Sequence, residues 1–400
     1  MPALFALLLA LFDKYGYNIR RKLEGEPVKV KKQIVFRGAM LGLAVGDAMG
    51  NAVDRHTLEE ICADYGPNGL LGYDLVNGYA EVTSYTQLAA FSANGLLLGL
   101  TRGQVFGKMA PYVMYAGLGQ QEWAIGQRRY DQPSRNHCWV FRIPELRRRH
   151  CTDTRMVETL NRGMNGVRGK LGTLEMPINH RDTPASISAA VAAGLFADPN
   201  RMSQQEIDRL GAECVALTHG DPLAFLPGAV VAHLICRCLR DHTTPLRQIV
   251  EESLKALDDQ FGREYRQTAQ VITTVRTALK YVDDFDIFPV DAMEKLRCDT
   301  GADILAGAIY AALIYERDFD SAMIVAANHS GRSAAVGTVA GAILGARCGE
   351  EALPDFYMEG LEVATVLMEL ADDLIQGCPM VRGYKLFDGD WDRKYLHGEP

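Results

Sequence analysis

The sequence has no excess of basic residues, no CxxC cysteine pair and no apolar run long enough to cross a bilayer. Its 42 lysines and arginines are outnumbered by 50 aspartates and glutamates, and the net charge of -8 argues against a general nucleic-acid-binding protein. Nine scattered cysteines argue against a disulfide framework or a zinc site. The apolar run at residues 1–12 is too short for a membrane span and has no basic start, so we expect a cytoplasmic protein without a membrane span.

Alternating strand patterns are also scarce, whereas apolar residues recur at three- and four-residue steps along most of the chain. This periodicity predicts one all-α domain at residues 34–378, with an N-terminal apolar arm and linker at 1–33 and a C-terminal tail at 379–400. The weakly periodic run from Arg129 to Arg181 is typical of binding loops. The apolar arm has two open interpretations: an extra helix folded onto the body, or a segment offered to a partner protein.

Two stretches carry glycines four residues apart. The first has Gly38, Gly42, Gly46 and Gly50, and the second, far downstream, has Gly337, Gly341 and Gly345. On a helix this spacing puts the glycines on one face. Each glycine costs about 1 kcal/mol relative to alanine inside a helix, so a row of them favours close approach of another backbone. We therefore predict that the two helices pack against each other; the alternative is that each is simply buried.

Four stretches together resemble the ADP-ribosylglycohydrolase family, which includes dinitrogenase reductase-activating glycohydrolase and the ADP-ribosylarginine hydrolases. They are RGAMLGLAVGDAMG (37–50), CWVFRIPELRRR (138–149), ALTHGDP (216–222) and NHSGRSAAVGTVAGAILGA (328–346). Their order and separations agree with the family as well, over roughly residues 34 to 376. The resemblance implies a compact orthogonal helical bundle with two magnesium or manganese ions in a central cleft that binds ADP-ribose.

The sequence departs from the family where the family holds its metals. Members usually have Thr-Asp-Asp-Thr ahead of the second helix, and this chain has Thr83, Ser84, Tyr85 and Thr86. The later motif, Gly-Asp-x-Asp-Ser/Thr, is replaced by Gly331, Arg332, Ser333, Ala334 and Ala335. Magnesium and manganese need oxygen ligands, usually carboxylates. We therefore expect no metal and no other cofactor.

The candidate ligand-binding residues follow from the positions that match the altered family site, and no catalytic residue is named. They are Asp47, Thr83, Ser84, Tyr85, Thr86, Ser330, Gly331, Arg332 and Ser333. Arg332 either forms an anion site at the start of a helix or makes a salt bridge to an acid such as Asp47. Asp47 either has a structural hydrogen-bonding role or takes part in acid–base chemistry. His219 is either a cap or buried donor, or a base. Other acids expected near the cleft are Asp54, Glu81 and Glu122.

These observations lead to a functional hypothesis with two alternatives. We expect a catalytically weak or inactive relative that binds ADP-ribose-type ligands or an ADP-ribosylation-related partner, such as an ADP-ribosyltransferase or its target, in an immunity or regulatory role. The first alternative is an active glycohydrolase that removes ADP-ribose from modified protein side chains. The second is a structural protein in which the fold has neither a specific ligand nor a specific partner.

Overall fold

Helices make up the regular structure of the computed structural model, which describes residues 32–107, 110–128, 136–150, 153–162 and 171–400. Within these ranges eighteen α-helices form and no β-strand does, which confirms the predicted all-α class. In chain order they are α1 (Lys32–Asn51), α2 (Leu58–Tyr65), α3 (Ser84–Phe106), α4 (Tyr112–Gly126), α5 (Pro144–Arg147), α6 (Thr154–Arg162), α7 (Ser188–Phe196), α8 (Gln204–Ala216), α9 (Pro222–Cys238), α10 (Leu246–Phe261), α11 (Gln267–Asp283), α12 (Pro289–Leu296), α13 (Gly301–Ile314), α14 (Phe319–Ala327), α15 (Ser333–Cys348), α16 (Asp355–Gly360), α17 (Ala364–Gln376) and α18 (Gly389–His397).

Helices α1 and α15 pack backbone to backbone along their glycine faces, as the spacing predicts. The facing pairs are Gly38 with Gly345, Gly42 with Gly341, and Gly46 with Gly337. A Cβ added to any of these glycines would overlap a backbone carbonyl of the opposite helix. Both helices are buried over most of their length, so they form the centre of the bundle. This packing fixes the start of α15, which borders the candidate site, against the end of α1.

The region after α3 differs from the prediction. The periodicity predicts one helix from about Gln104 to Leu118 and a second near residues 120–128, but α3 continues to Phe106 and α4 runs unbroken from Tyr112 to Gly126. Gly107 ends α3 in the left-handed conformation, at a φ of 66°, so the break lies after the predicted helix start at Gln104, and no break follows Leu118.

The C-terminal segment, predicted as a tail at residues 379–400, contains α18. Trp391 and Tyr395 of this helix are buried, and their four-residue spacing puts them on one helix face. The indole of Trp391 donates to Thr101 Oγ1 at 2.9 Å, and the Tyr395 hydroxyl donates to Asp373 Oδ2 at 2.6 Å. The segment is therefore packed on α3 and α17, within a compact unit that runs from Lys32 to Pro400.

Two further predictions from the sequence concern the apolar arm and the absence of a membrane span. The predicted apolar arm lies outside the described residues, except for its last two positions. Of the helices in the described part of the chain, none combines the length and the apolar character that crossing a membrane requires.

Candidate functional site

The N-terminal ends of α3 and α15 border one cavity of about 310 Å³. Ser84 and Tyr85 line it from α3, and Arg332 and Ala334 line it from the start of α15. These are the four positions that the sequence comparison matches to metal-binding aspartates. Although 247 to 250 positions separate them in the chain, the glycine-faced packing of α15 against α1 brings them together. Thr83 also lines the cavity.

Asp47 lies beneath the cavity and anchors the start of α3. Its carboxylate accepts four hydrogen bonds: from the backbone N–H of Thr83 and Thr86, at 2.8 and 3.0 Å, and from their hydroxyls, both at 2.6 Å. Asp47 is fully buried and is not among the residues that line the cavity. A carboxylate at a helix N-terminus satisfies free N–H groups and interacts favourably with the helix dipole. These contacts match a structural hydrogen-bonding role, which is the first of the two interpretations given for Asp47.

The buried carboxyl of Asp47 leads to a pH prediction. Burial raises its pKa from 3.8 to about 6, although the four hydrogen bonds act in the opposite direction. Because the folded protein then binds this proton more tightly than the unfolded chain does, the proton-dependent part of the contribution of Asp47 to stability is full below pH 3.8 and is lost as the pH rises toward about 6. The free energy of unfolding of the wild type, relative to Asp47→Asn, should fall over that interval and level off above it. Urea titrations of both proteins at several pH values measure this, and a constant difference would contradict it.

Arg332 pairs with Asp299 and not with Asp47. Its Nε donates to Asp299 Oδ1 at 3.0 Å, and its backbone N–H donates to the carbonyl of Cys298 at 2.9 Å. Only the Nε edge of the guanidinium is paired among the described residues, so the two Nη groups remain available. The structure thus shows the ion pair that the salt-bridge interpretation expects, with Asp299 as the partner in place of Asp47. An arginine with a free Nη pair still has the donors that an anion site requires.

The other predicted site residues have structural contacts outside the cavity lining. Thr86 is buried against Asp47. Ser330 Oγ accepts from the backbone of Leu58 at 2.9 Å, and Ser333 Oγ donates to the carbonyl of Ala327 at 2.7 Å. Gly331 lies where a Cβ would meet the carbonyl oxygens of the turn at residues 297–298. Ser330, Gly331 and Ser333 thus hold the loop that presents Arg332.

Positive charge exceeds negative charge in the cavity lining. Four arginines contribute to it, Arg55, Arg155, Arg181 and Arg332, against two aspartates, Asp54 and Asp153. Asp54 accepts from the backbone N–H of Ala334 at 3.2 Å, and burial raises its pKa. Four of these charged residues are not predicted from the sequence: Arg55, Arg155, Arg181 and Asp153. The only signal for the last three was the irregular run 129–181, which indicates binding loops without indicating which side chains face a ligand.

Similarity to known proteins identifies the family of the chain. The family model described as ADP-ribosylglycohydrolase matches residues 31–383. The chain belongs to the ADP-ribosylglycohydrolase family. A solved structure described as an "ADP-ribosylglycohydrolase-related protein complex" is similar at a TM-score of 0.51 and 20% identity, covering 86% of this chain and 98% of that one, which supports the helical fold. No curated protein sequence matches the chain.

The residues of this family member do not fit the two-ion site that the family resemblance implies. In the described part of the chain, no group of three or more His, Cys, Asp or Glu side chains is placed to hold a metal ion. At the four family positions stand a hydroxyl, a phenol, a guanidinium and a methyl group, and Arg332 adds a positive charge where a cation would bind. Divalent hard cations need several oxygen ligands, usually with carboxylates among them, and this set of side chains does not provide them.

The remaining acids named from the sequence hold loops of the ADP-ribosylglycohydrolase fold in place. Glu122 is buried on α4 and accepts from the backbone N–H groups of His137 and Cys138, at 2.7 and 2.9 Å. Glu81 pairs with Arg148, with 2.9 Å between the carboxylate and Nη1. Because both contacts fix the segment that ends at His150, which lines the cavity, these acids position a wall of the site.

Proposed function

We propose that this ADP-ribosylglycohydrolase family member binds ADP-ribose-type ligands without a metal and is catalytically weak or inactive. The observation that carries the proposal is that the four family metal positions converge on one cavity, where they hold no carboxylate and where four arginines outnumber two aspartates. An arginine-rich cavity attracts phosphate groups, since a guanidinium offers a planar set of donors that matches phosphate oxygens. In this proposal Arg332 takes the place of the lost cations.

The cavity also suits a phosphorylated ligand in size and position. Its volume of about 310 Å³ is at the lower end of small-molecule sites, which supports enclosure of part of an ADP-ribose molecule. The free Nη groups of Arg332 belong to a side chain that is only 17% exposed. Water would therefore compete little with a ligand oxygen bound to them. Asp299 restrains the opposite edge of the guanidinium, which lowers the entropy lost on binding.

A calorimetric titration with ADP-ribose in the presence of EDTA tests the proposal. The wild type should bind, and Arg332→Glu should bind about 100-fold more weakly, because a charge-assisted hydrogen bond is lost and a repulsive carboxylate is introduced. The matched control is Arg247→Glu, which also breaks an ion pair, to Asp283, on helix α10 and away from the cavity. The control should bind like the wild type. Equal affinities of wild type and Arg332→Glu would refute the proposal.

The alternative is an active glycohydrolase that releases ADP-ribose from modified protein side chains. Family membership favours it, since the family name describes that reaction. Incubation with an ADP-ribosylated protein and magnesium or manganese distinguishes the two functions. Turnover that EDTA abolishes would favour the enzyme, and absence of turnover together with EDTA-resistant binding of ADP-ribose would favour the binding protein.

The proposal includes a class of partner and a location. A binding protein of this family is suited to recognise an ADP-ribosyltransferase or the protein that such an enzyme modifies, as an immunity or regulatory component in the cytoplasm. Affinity capture with the wild type and with Arg332→Glu tests this part. A partner that depends on ADP-ribosylation should be retained by the wild type and lost by the variant, whereas equal capture by both would argue against recognition through the cavity.

A further inference from the structure

A buried chain of hydrogen bonds lies behind one wall of the cavity and ends at a residue that lines it. His219 has no exposed surface, and its Nδ1 lies 2.9 Å from both Ser186 Oγ and Thr218 Oγ1. Its Nε2 lies 3.0 Å from the hydroxyl oxygen of Thr183, which lines the cavity. The proton position on His219 therefore decides whether Thr183 accepts or donates toward the cavity.

The surroundings of Nδ1 place the proton of His219 on Nε2. Ser186 Oγ has a second acceptor, the carbonyl of Val215 at 3.4 Å, but the Thr218 hydroxyl has no acceptor other than Nδ1 among the described residues. A proton on Nδ1 would leave the buried hydroxyl hydrogen of Thr218 without a partner, which costs about 1 to 3 kcal/mol. Burial lowers the pKa of His219 and keeps the ring neutral. A proton on Nε2 also faces the carboxylate of Asp153, at 3.6 Å.

With the proton on Nε2, the Thr183 hydroxyl becomes a donor directed at the cavity. Its oxygen accepts from His219 Nε2 and, at 3.5 Å, from Arg181 Nη2. Its own hydrogen then has no acceptor among the described residues. The neighbouring Arg181 has the same deficit, since its Nη2 pairs with Asp153 while its buried Nη1 has no hydrogen-bond partner in the described part of the chain. Because Nη1 is buried, the donor of the two that a ligand in the cavity can reach is the Thr183 hydroxyl.

The loop that carries these donors is held on both sides. Asn179 donates to the carbonyl of Thr218 at 2.9 Å and accepts from the backbone of Gly220 at 3.0 Å. The carbonyl of Arg181 accepts from Asp221 at 3.2 Å, and the carbonyl of Asp182 accepts from Gly301 at 3.0 Å. Donors fixed in this way before a ligand arrives lose little conformational freedom on binding.

We propose that the Thr183 hydroxyl binds one anionic oxygen of the cavity's ligand, as a second contact apart from Arg332. The inference rests on the proposed function, because it concerns the same cavity and an anionic ligand. The ion pair with Asp153 offsets the charge of the neighbouring Arg181, so this contact acts through one directed hydrogen bond, and the other arginines supply the electrostatic attraction. His219 is a positioning residue that sets the polarity of the Thr183 hydroxyl.

Thr183→Val and Thr183→Ser test the contact with ADP-ribose as the probe. The valine has the shape of threonine without the hydroxyl, and its affinity should fall by at least about 10-fold, which is the lower end of the range for a hydrogen bond to a charged group. The serine keeps the hydroxyl and should stay within about 2-fold of the wild type. Equal affinities of Thr183→Val and wild type would refute the inference and leave the proposed function standing. Absence of binding by the wild type would refute the proposed function.

A second measurement uses the wild type and does not depend on the ligand. Nitrogen-15 NMR of the imidazole distinguishes a protonated ring nitrogen from an unprotonated one. We expect His219 to be protonated at Nε2 and unprotonated at Nδ1 near neutral pH, with assignment by comparison with His219→Gln. A proton on Nδ1 would make Thr183 the donor to the ring, and the inference would then fail whatever the binding data show.

Discussion

Replacing Gly42 with valine should unfold the protein or lower its free energy of unfolding by more than about 4 kcal/mol. A Cβ at this position overlaps the carbonyl oxygen of Gly341 on the opposite helix. The backbones of α1 and α15 would have to separate, and they are packed in this way at three glycine pairs in succession. A gain in helix propensity of about 1 kcal/mol from replacing glycine does not offset that separation.

A graded series of variants measures this effect even when the valine variant fails to fold. Gly42→Ala should unfold at a lower urea concentration than the wild type, and Gly42→Val at a lower one still, as followed by far-UV circular dichroism. The matched control is Gly72→Ala, because a Cβ there meets nothing within 4 Å. It should change the free energy of unfolding by no more than about 0.5 kcal/mol. A Gly42→Val protein as stable as this control would contradict the close packing.

Replacing Asp47 with alanine should lower the free energy of unfolding by about 3 to 5 kcal/mol at neutral pH. The carboxylate is the acceptor for two backbone N–H groups and two hydroxyls at the start of α3, and all four lie in the buried interior. Each buried donor left without an acceptor costs about 1 to 3 kcal/mol, and water can reach the new space to satisfy only some of them. The loss is larger than that of an ordinary helix cap, which is about 1 kcal/mol.

Asp64→Ala is the matched control, since Asp64 is an exposed aspartate on α2. Its free energy of unfolding should stay within about 0.5 kcal/mol of the wild type. Asp47→Ala should also weaken binding of ADP-ribose, because Thr83, Ser84 and Tyr85 would lose their fixed position in the cavity wall. A variant with wild-type stability would show that the threonines find other acceptors, and the anchoring role of Asp47 would then be wrong.

The central helices could be predicted from the sequence because close backbone packing requires small residues at a regular spacing. The same holds for Ser84, Tyr85, Arg332 and Ala334, which occupy positions in recognisable motifs. Their presence in one cavity follows from those motifs and from the predicted packing of the two glycine helices.

The partners of these residues could not be predicted. Asp299 reaches Arg332 through a turn in which Arg297 and Cys298 have φ values of 64° and 47°, and no sequence pattern places two such residues in the left-handed region. Arg181 and Thr183 lie in an irregular segment, where no periodicity determines which side chains face inward. Contacts between loops depend on the completed tertiary structure, and local pattern carries little information about them.

The glycine contact between α1 and α15 has a consequence for how the cavity accommodates a ligand. Asp47 of α1 fixes the start of α3, and α15 begins immediately after Arg332. Both walls of the cavity are therefore held by α1 and α15, whose backbones are in direct contact at the glycine pairs and cannot easily shift relative to each other. Ligands of different shape can thus be accommodated only by changes in side-chain torsions and in the connecting loops. We expect such a receptor to select molecules that already fit its opening, with little rearrangement of its backbone.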